Sequence, residues 1–253
     1  MKAQIKNLSF SYKNSKVLNS VNAEFSSGGL NFVLGENGSG KSTMLKCLSG
    51  LLKVHSGEII VNNVNPSGVP IKERSRLISY TPQNVEYDKY SIVYDFILSG
   101  RKPWFSWRET SNDENFVYRI IAKLGIENFA MRKMGELSGG ERQKVFIARA
   151  LAQNAQVMIL DEPTNNLDIA FQIELFRLLS EEAEKTERII ISAVHDINLA
   201  LKYASFVTLL KNGKVISGGS AEDVITEKNI FEMMNVKCVI TEIRGVKVMV
   251  TLN

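Results

Sequence analysis

The stretch Gly35-Glu36-Asn37-Gly38-Ser39-Gly40-Lys41-Ser42-Thr43 constrains this chain more than any other. It follows an apolar run at 30–34 and opens a segment in which Met44, Leu45, Leu48 and Leu51 recur at helical spacing. Strand, glycine-rich turn and helix in that order form the context a phosphate-binding loop requires. The glycines let the backbone curl until successive N–H groups point at one anion, and the helix start adds its positive dipole end. Lys41 would then reach the outer phosphates, and the Ser42 hydroxyl would ligate Mg²⁺. A plain glycine-rich hairpin does not require Lys and Ser at this spacing between these flanks, so the expectation is a nucleotide site in an α/β chain.

The rest of the chain supplies elements that fit such a sheet. Ile5, Leu8, Phe10 and Tyr12 give a partly alternating strand, residues 21–25 a second, and 58–61 and 77–81 two more. Residues 62–70 read as a turn-rich loop. From about 85 to 152 the texture becomes helical. Ser91 is a candidate cap for a helix carrying Val93, Phe96 and Ile97, and residues 102–111 read as a connecting loop. Phe116, Ile120, Ile121 and Leu124 mark a helix stopped by Gly125, and Val145, Ala148 and Leu151 mark another. The apolar run at 157–160 and the mostly apolar one at 188–194 have the character of buried parallel strands. Ile169, Ile173, Phe176 and Leu179 share a helix face, residues 198–203 read as helical, and Asn212-Gly213 predicts a two-residue hairpin. Ser220 and Asp223 resemble a capping box, and residues 236–252 alternate around Gly245 as a last hairpin.

Bulk properties narrow the function. The net charge of +4 comes from 31 basic and 27 acidic residues scattered along the chain, without the basic stripe expected of a nucleic-acid surface. Cys47 and Cys238 are far apart and flanked by apolar residues, which suits buried free thiols in a reducing cytosol better than a disulfide or zinc framework. No signal peptide and no run long enough to span a bilayer is visible, so a membrane role would pass through a partner.

A phosphate loop needs a second acidic site. Asp161 closes the 157–160 run, where a carboxylate sits at the ligand-binding edge of the sheet and can hold the Mg²⁺ shell. Glu162 follows and would face the γ-phosphate, where it can polarise water. In Leu137-Ser138-Gly139-Gly140-Glu141, Ser138 can cap the helix that runs to Ala152, and Gly139 and Gly140 leave N–H groups uncovered. This helix start is either a plain capped terminus or half of a nucleotide site completed by another copy.

The ordered set of residues 35–43, Gln83, residues 137–141, residues 157–162, Asp168 and His195 resembles the nucleotide-binding subunit of ATP-binding cassette proteins over nearly the whole chain. The resemblance implies a single α/β domain with a P-loop NTPase core, a mixed sheet, an antiparallel β subdomain and an inserted helical subdomain. Residues 1–84 and 153–253 would form the core with its β subdomain, and 85–152 the helical part. It implies a head-to-tail homodimer holding two ATP molecules, with Gly35, Asn37, Gly38, Ser39, Gly40, Lys41, Ser42 and Thr43 around the phosphates. Ser138, Gly139 and Gly140 would come from the partner, and Ser42, Gln83 and Asp161 would serve the Mg²⁺. Tyr12 would stack on adenine, although a strand position also accounts for it. Glu162, His195, Lys41 and Gln83 become the catalytic set. Asn165, Asn166, Leu167 and Asp168 match the loop that crosses to the other subunit, though Asp168 also suits a helix cap. His55 matches no motif and reads as surface.

One cassette without a fused membrane part resembles a separate subunit docking on permeases. Residues 91–107 and 161–168 are similar to importer ATPases for iron chelates such as siderophores, haem and cobalamin, working with an extracytoplasmic substrate-binding protein at the cytoplasmic face of the membrane. Arg101, Trp104 and Trp107 belong either to a docking face or to a packed loop. On this reading an end at Asn253 would come too early for the extra regulatory domain of the sugar-importer type. The rival reading, a soluble cassette ATPase acting on nucleic acid or ribosomes, predicts a basic groove and a second cassette. A GTPase would show an Asn-Lys-x-Asp string, which is absent.

Overall fold

The computed structural model describes every residue except 14, 55, 106, 107, 165, 166 and 253. The chain opens with the antiparallel pair β1 (Lys2–Tyr12) and β2 (Ser15–Ser26). β3 (Leu30–Leu34) leads through the glycine-rich turn into α1 (Lys41–Leu48), and β4 (Ser56–Val61) returns to pair with β1. α2 (Ile71–Leu77) runs directly into β5 (Ile78–Thr81). Then come α3 (Val93–Leu98), α4 (Ser111–Lys123) and α5 (Gly139–Gln153). The later part alternates β6 (Val157–Asp161), α6 (Ile169–Lys185), β7 (Ile189–Val194) and α7 (Ile197–Tyr203). It closes with β8 (Ala204–Lys211), β9 (Lys214–Ser220), α8 (Ala221–Val224), α9 (Glu227–Met234) and the hairpin β10 (Cys238–Ile243) with β11 (Val246–Thr251).

The main sheet has the order β5-β6-β7-β3-β8-β9, parallel throughout except for β9. β3, β6 and β7 are buried along their whole length, as strands covered on both faces must be. Their alternation sorts the core. Phe32 faces α6, where its ring meets Phe176 at 5.0 Å, while Val33 joins Met44, Leu45 and Leu48 of α1 in a second cluster shared with the β2-β1-β4 sheet. Register then sets the site. Leu34 pairs with Val194, and Asp161 with Ala193, so the carboxyl ends of three neighbouring strands stop at one level. Residues 35–40, 162 and 195 leave the sheet together at that edge.

The helices between β5 and β6 are fixed by caps and one ion pair. Thr110 and Asp113 form a reciprocal capping box on α4, which stops before Gly125 in the left-handed region (φ +61°). Arg101 donates to Asp113 at 2.9 Å and to the Ala152 carbonyl at 3.1 Å, and lies over the Phe116 ring. Trp104 donates to the Gln153 carbonyl. Arg101 and Trp104 are therefore partly buried in a packed loop, the second of the two alternatives for them; Trp107 lies outside the described residues.

Several local expectations change. Leu51 is 57% exposed beyond the end of α1, because the chain turns at Gly50 (φ +72°). Residues 71–77, absent from the expected elements, form α2, so the strand expected to start at Leu77 starts at Ile78. Ser91 does not cap α3: Ile92 holds the cap position without a side-chain bond, and the Ser91 carbonyl accepts from the Met134 amide. Ile169 and Ile173 are exposed, and Phe171, Leu175, Phe176 and Leu179 carry the buried face of α6. The Ser220 hydroxyl accepts from the Asp223 amide and donates to the Asp223 carboxylate, which falls short of a reciprocal box. α9 was not expected. Cys47 and Cys238 are free and buried, and His55 lies outside the described residues.

Candidate nucleotide site

The loop after β3 is shaped by close approaches. At Gly40 (φ +106°) an added Cβ would sit 2.9 Å from a Leu18 methyl, and at Gly38 (φ +79°) the backbone itself excludes most side chains. The β8–β9 turn buttresses the loop, with the Gly213 amide donating to the Ser39 carbonyl at 2.9 Å. The Ser39 hydroxyl is buried without a hydrogen-bond partner among the described residues. Lys41, 4% exposed, folds its ammonium back onto the carbonyls of Gly35 (2.7 Å) and Glu36 (3.0 Å). Burial pushes its pKa below the ordinary lysine value, and the carboxylates of Glu162 and Asp161 oppose that shift.

A cavity of about 1090 Å³ opens over this loop. Gly35, Glu36, Asn37, Gly38, Gly40, Lys41, Ser42 and Thr43 line it together with Gln83, Glu162 and His195, and Val17 and Met234 form apolar parts of the wall. Residues from four sheet strands' ends and α1 thus converge on one space. Asp161 is buried, and both its oxygens are engaged: Ser42 Oγ donates to Oδ1 at 3.0 Å and the Tyr80 hydroxyl to Oδ2 at 2.8 Å. Glu162 turns through the left-handed region (φ +51°), its amide bonded to the Ala193 carbonyl and one carboxylate oxygen accepting from Gln83 Nε2 at 2.8 Å. His195, exposed after β7, stands at the rim.

The donor set tests a divalent metal. Ser42 and Asp161 bring a hydroxyl and a carboxylate together, while no group of three or more His, Cys, Asp or Glu among the described residues could hold an ion. That combination fits Mg²⁺, which binds through one or two protein oxygens and fills its octahedron with phosphate oxygens and water.

Other expected residues lie elsewhere. Tyr12 does not line this cavity; it is 44% exposed and packs edge-on against Phe10 at 4.9 Å. Ser138 caps α5, accepting from the Glu141 amide, while its own amide donates to the Glu141 carboxylate at 2.7 Å. That backbone bond, ahead of the Ser138 side chain and Arg132, holds the Glu141 carboxyl below its usual range. Ser138 and Gly139 are exposed at the helix tip, away from the cavity of their own chain. Asp168 caps α6 by accepting from the Phe171 amide at 2.7 Å, and Asn165 and Asn166 lie outside the described residues. Val17, Met234 and Tyr80 are the site residues that sequence reasoning missed. Tyr80 stands three residues before Gln83, but what brings it to the site is the pairing of its strand with β6, which the sequence does not show.

A family model described as ABC transporter matches residues 18–165. An uncharacterized ABC transporter ATP-binding protein of Methanocaldococcus jannaschii is 38% identical over 96% of this chain and 95% of its own length. A petrobactin import ATP-binding protein of Bacillus anthracis is 33% identical over 94% of this chain and 88% of its own. Among solved structures, an inward-facing transporter described as metal-chelate type superposes with a TM-score of 0.85 at 26% identity, over 99% of this chain and 97% of that one.

Proposed function

The chain belongs to the ABC transporter family, and on that premise we propose that it is the ATP-hydrolysing subunit of a membrane importer for an iron chelate, haem or cobalamin. No helix among the described residues is long and apolar enough to cross a membrane, so coupling to transport would pass through permease subunits that hold this chain at the cytoplasmic face. An extracytoplasmic binding protein would deliver the cargo. The kinship to a petrobactin import protein and a metal-chelate type transporter supports the cargo class.

The single observation that carries the ATPase reading is the meeting of Ser42 with Asp161, 119 residues apart, at 3.0 Å under the phosphate loop. In this reading the loop amides and α1 receive the β- and γ-phosphates. Lys41 would exchange its two carbonyl partners for phosphate oxygens, and Ser42 and Asp161 are the residues that would hold Mg²⁺. Bound there, the ion neutralises charge that develops on the transferred phosphoryl group. Glu162 orients the attacking water and takes its proton, Gln83 holds Glu162 in position, and His195 contacts the γ-phosphate from the rim. A second copy lends Ser138, Gly139 and Gly140 to close the site. Lys41→Ala is expected to weaken MgATP binding by about a hundredfold, measured by calorimetry on folded protein. Affinity equal to that of the unsubstituted chain would count against the site.

A further inference from the structure

We propose that Tyr80 is a positioning residue for the metal site: its hydroxyl locks the Asp161 carboxylate so that only Oδ1 is presented to Ser42 and the Mg²⁺–triphosphate. The proposal rests on the nucleotide-site reading above and adds a residue to it.

The geometry distinguishes the two oxygens of Asp161. Oδ1 accepts from Ser42 at 3.0 Å and Oδ2 from Tyr80 at 2.8 Å. A carboxylate only 3% exposed needs partners for both oxygens, and without the phenol it could rotate to find one. Such rotation would displace Oδ1 from the direction in which Ser42 faces the phosphates. Ser42 can offer a lone pair to a cation while still donating to Oδ1, so the Tyr80 bond and the metal do not compete for the same atom.

The position of Tyr80 in the fold adds a second consequence. β5 is an edge strand, paired with β6 alone within its sheet, and Tyr80 registers with Ile159, two residues before Asp161. Three residues beyond Tyr80, Gln83 donates to Glu162 at 2.8 Å. One short segment, 80–83, therefore holds both adjacent carboxylates, the one for the metal and the one for water. A shift in this segment, which leads to the helices between β5 and β6, would move both together. The Tyr80 ring packs on the core cluster that includes Val157 and Ile159, so packing alone would be met by phenylalanine.

Tyr80→Phe in the full chain separates the hydroxyl from the ring. Binding of a fluorescent ATP analogue is measured first in EDTA and then against added Mn²⁺, with electron paramagnetic resonance reporting the bound ion and circular dichroism the fold. The expected result is metal-free nucleotide affinity within about twofold of the unsubstituted chain and a Mn²⁺ requirement raised about tenfold, the loss of one hydrogen bond to a charged group. An unchanged Mn²⁺ requirement and resonance signal overturn the proposal, whether or not thermal stability falls. Unsubstituted protein that binds no nucleotide with the metal present would overturn the site reading itself.

Discussion

α1 and α5 both begin in a way that can bind an anion, yet their surroundings differ completely. The start of α1 lies on a cavity floor where its own Lys41 meets Asp161 and Glu162, the two consecutive carboxylates at the end of β6. The start of α5 is an exposed tip where the capping box engages only the amides of Ser138 and Glu141, leaving those of Gly139 and Gly140, at the first two helical positions, without an intrahelical acceptor. In the proposed function the first is a nearly complete phosphate site; the second has donors and no chemistry of its own. The contrast explains why a cassette of this kind would act in pairs: the donors missing over one cavity stand unused on the other copy.

The contrast can be broken at either end. At the α1 site, Glu162→Gln is expected to lower turnover by about a hundredfold while leaving ATP binding intact, because only the proton acceptor changes. A steady-state rate like that of the unsubstituted chain would remove Glu162 from the mechanism. At the α5 tip, Gly139 has open space around the position of an added Cβ, so Gly139→Glu is tolerated by the isolated chain. It places a carboxylate where a partner's γ-phosphate would sit, and turnover should fall about tenfold or more with ATP affinity of the monomer unchanged. Full activity in that variant would mean that the tip never meets phosphate.

The smallest effect concerns stability rather than turnover. Arg101→Ala leaves Asp113 buried without its cation and should cost about 3 kcal/mol in chemical unfolding, with ATP affinity unaffected. The pH dependence has a defined sign. Burial works against ionising Asp113, but the Thr110 hydroxyl and amide and the Arg101 guanidinium outweigh it, so its carboxyl lies below the ordinary aspartate value. The group therefore contributes fully above about pH 4, its unfolded-state value, and the contribution is lost as pH falls through the lower folded value. Unfolding curves of Asp113→Asn should be less acid-sensitive than those of the unsubstituted chain; equal sensitivity would assign the acid loss to other carboxylates.

How far the sequence carried this structure depended on how continuous the burial signal was. β3, β6 and β7 are mostly apolar and buried throughout because both faces are covered, and the loops at their ends were legible with them. α2 was not, since Leu77 is its one buried residue and Ile71 is 72% exposed, so no periodicity exists to read. Ile169 and Ile173 misled for the opposite reason: their spacing is helical, but they lie on the outward face of α6, whose buried stripe starts at Phe171 and Leu175. Tyr80 shows the limit at the site. Its aromatic ring reads as core filler, and only the pairing of β5 with β6 brings its hydroxyl to Asp161.

The pairing of two copies around nucleotide is the claim from which the rest follows, and sedimentation of Glu162→Gln with and without MgATP tests it directly. The account predicts a monomer that becomes a dimer holding two ATP molecules when MgATP is added, and no such dimer once Gly139→Glu is introduced into the same chain. A protein that saturates with MgATP and still sediments as a monomer would contradict it.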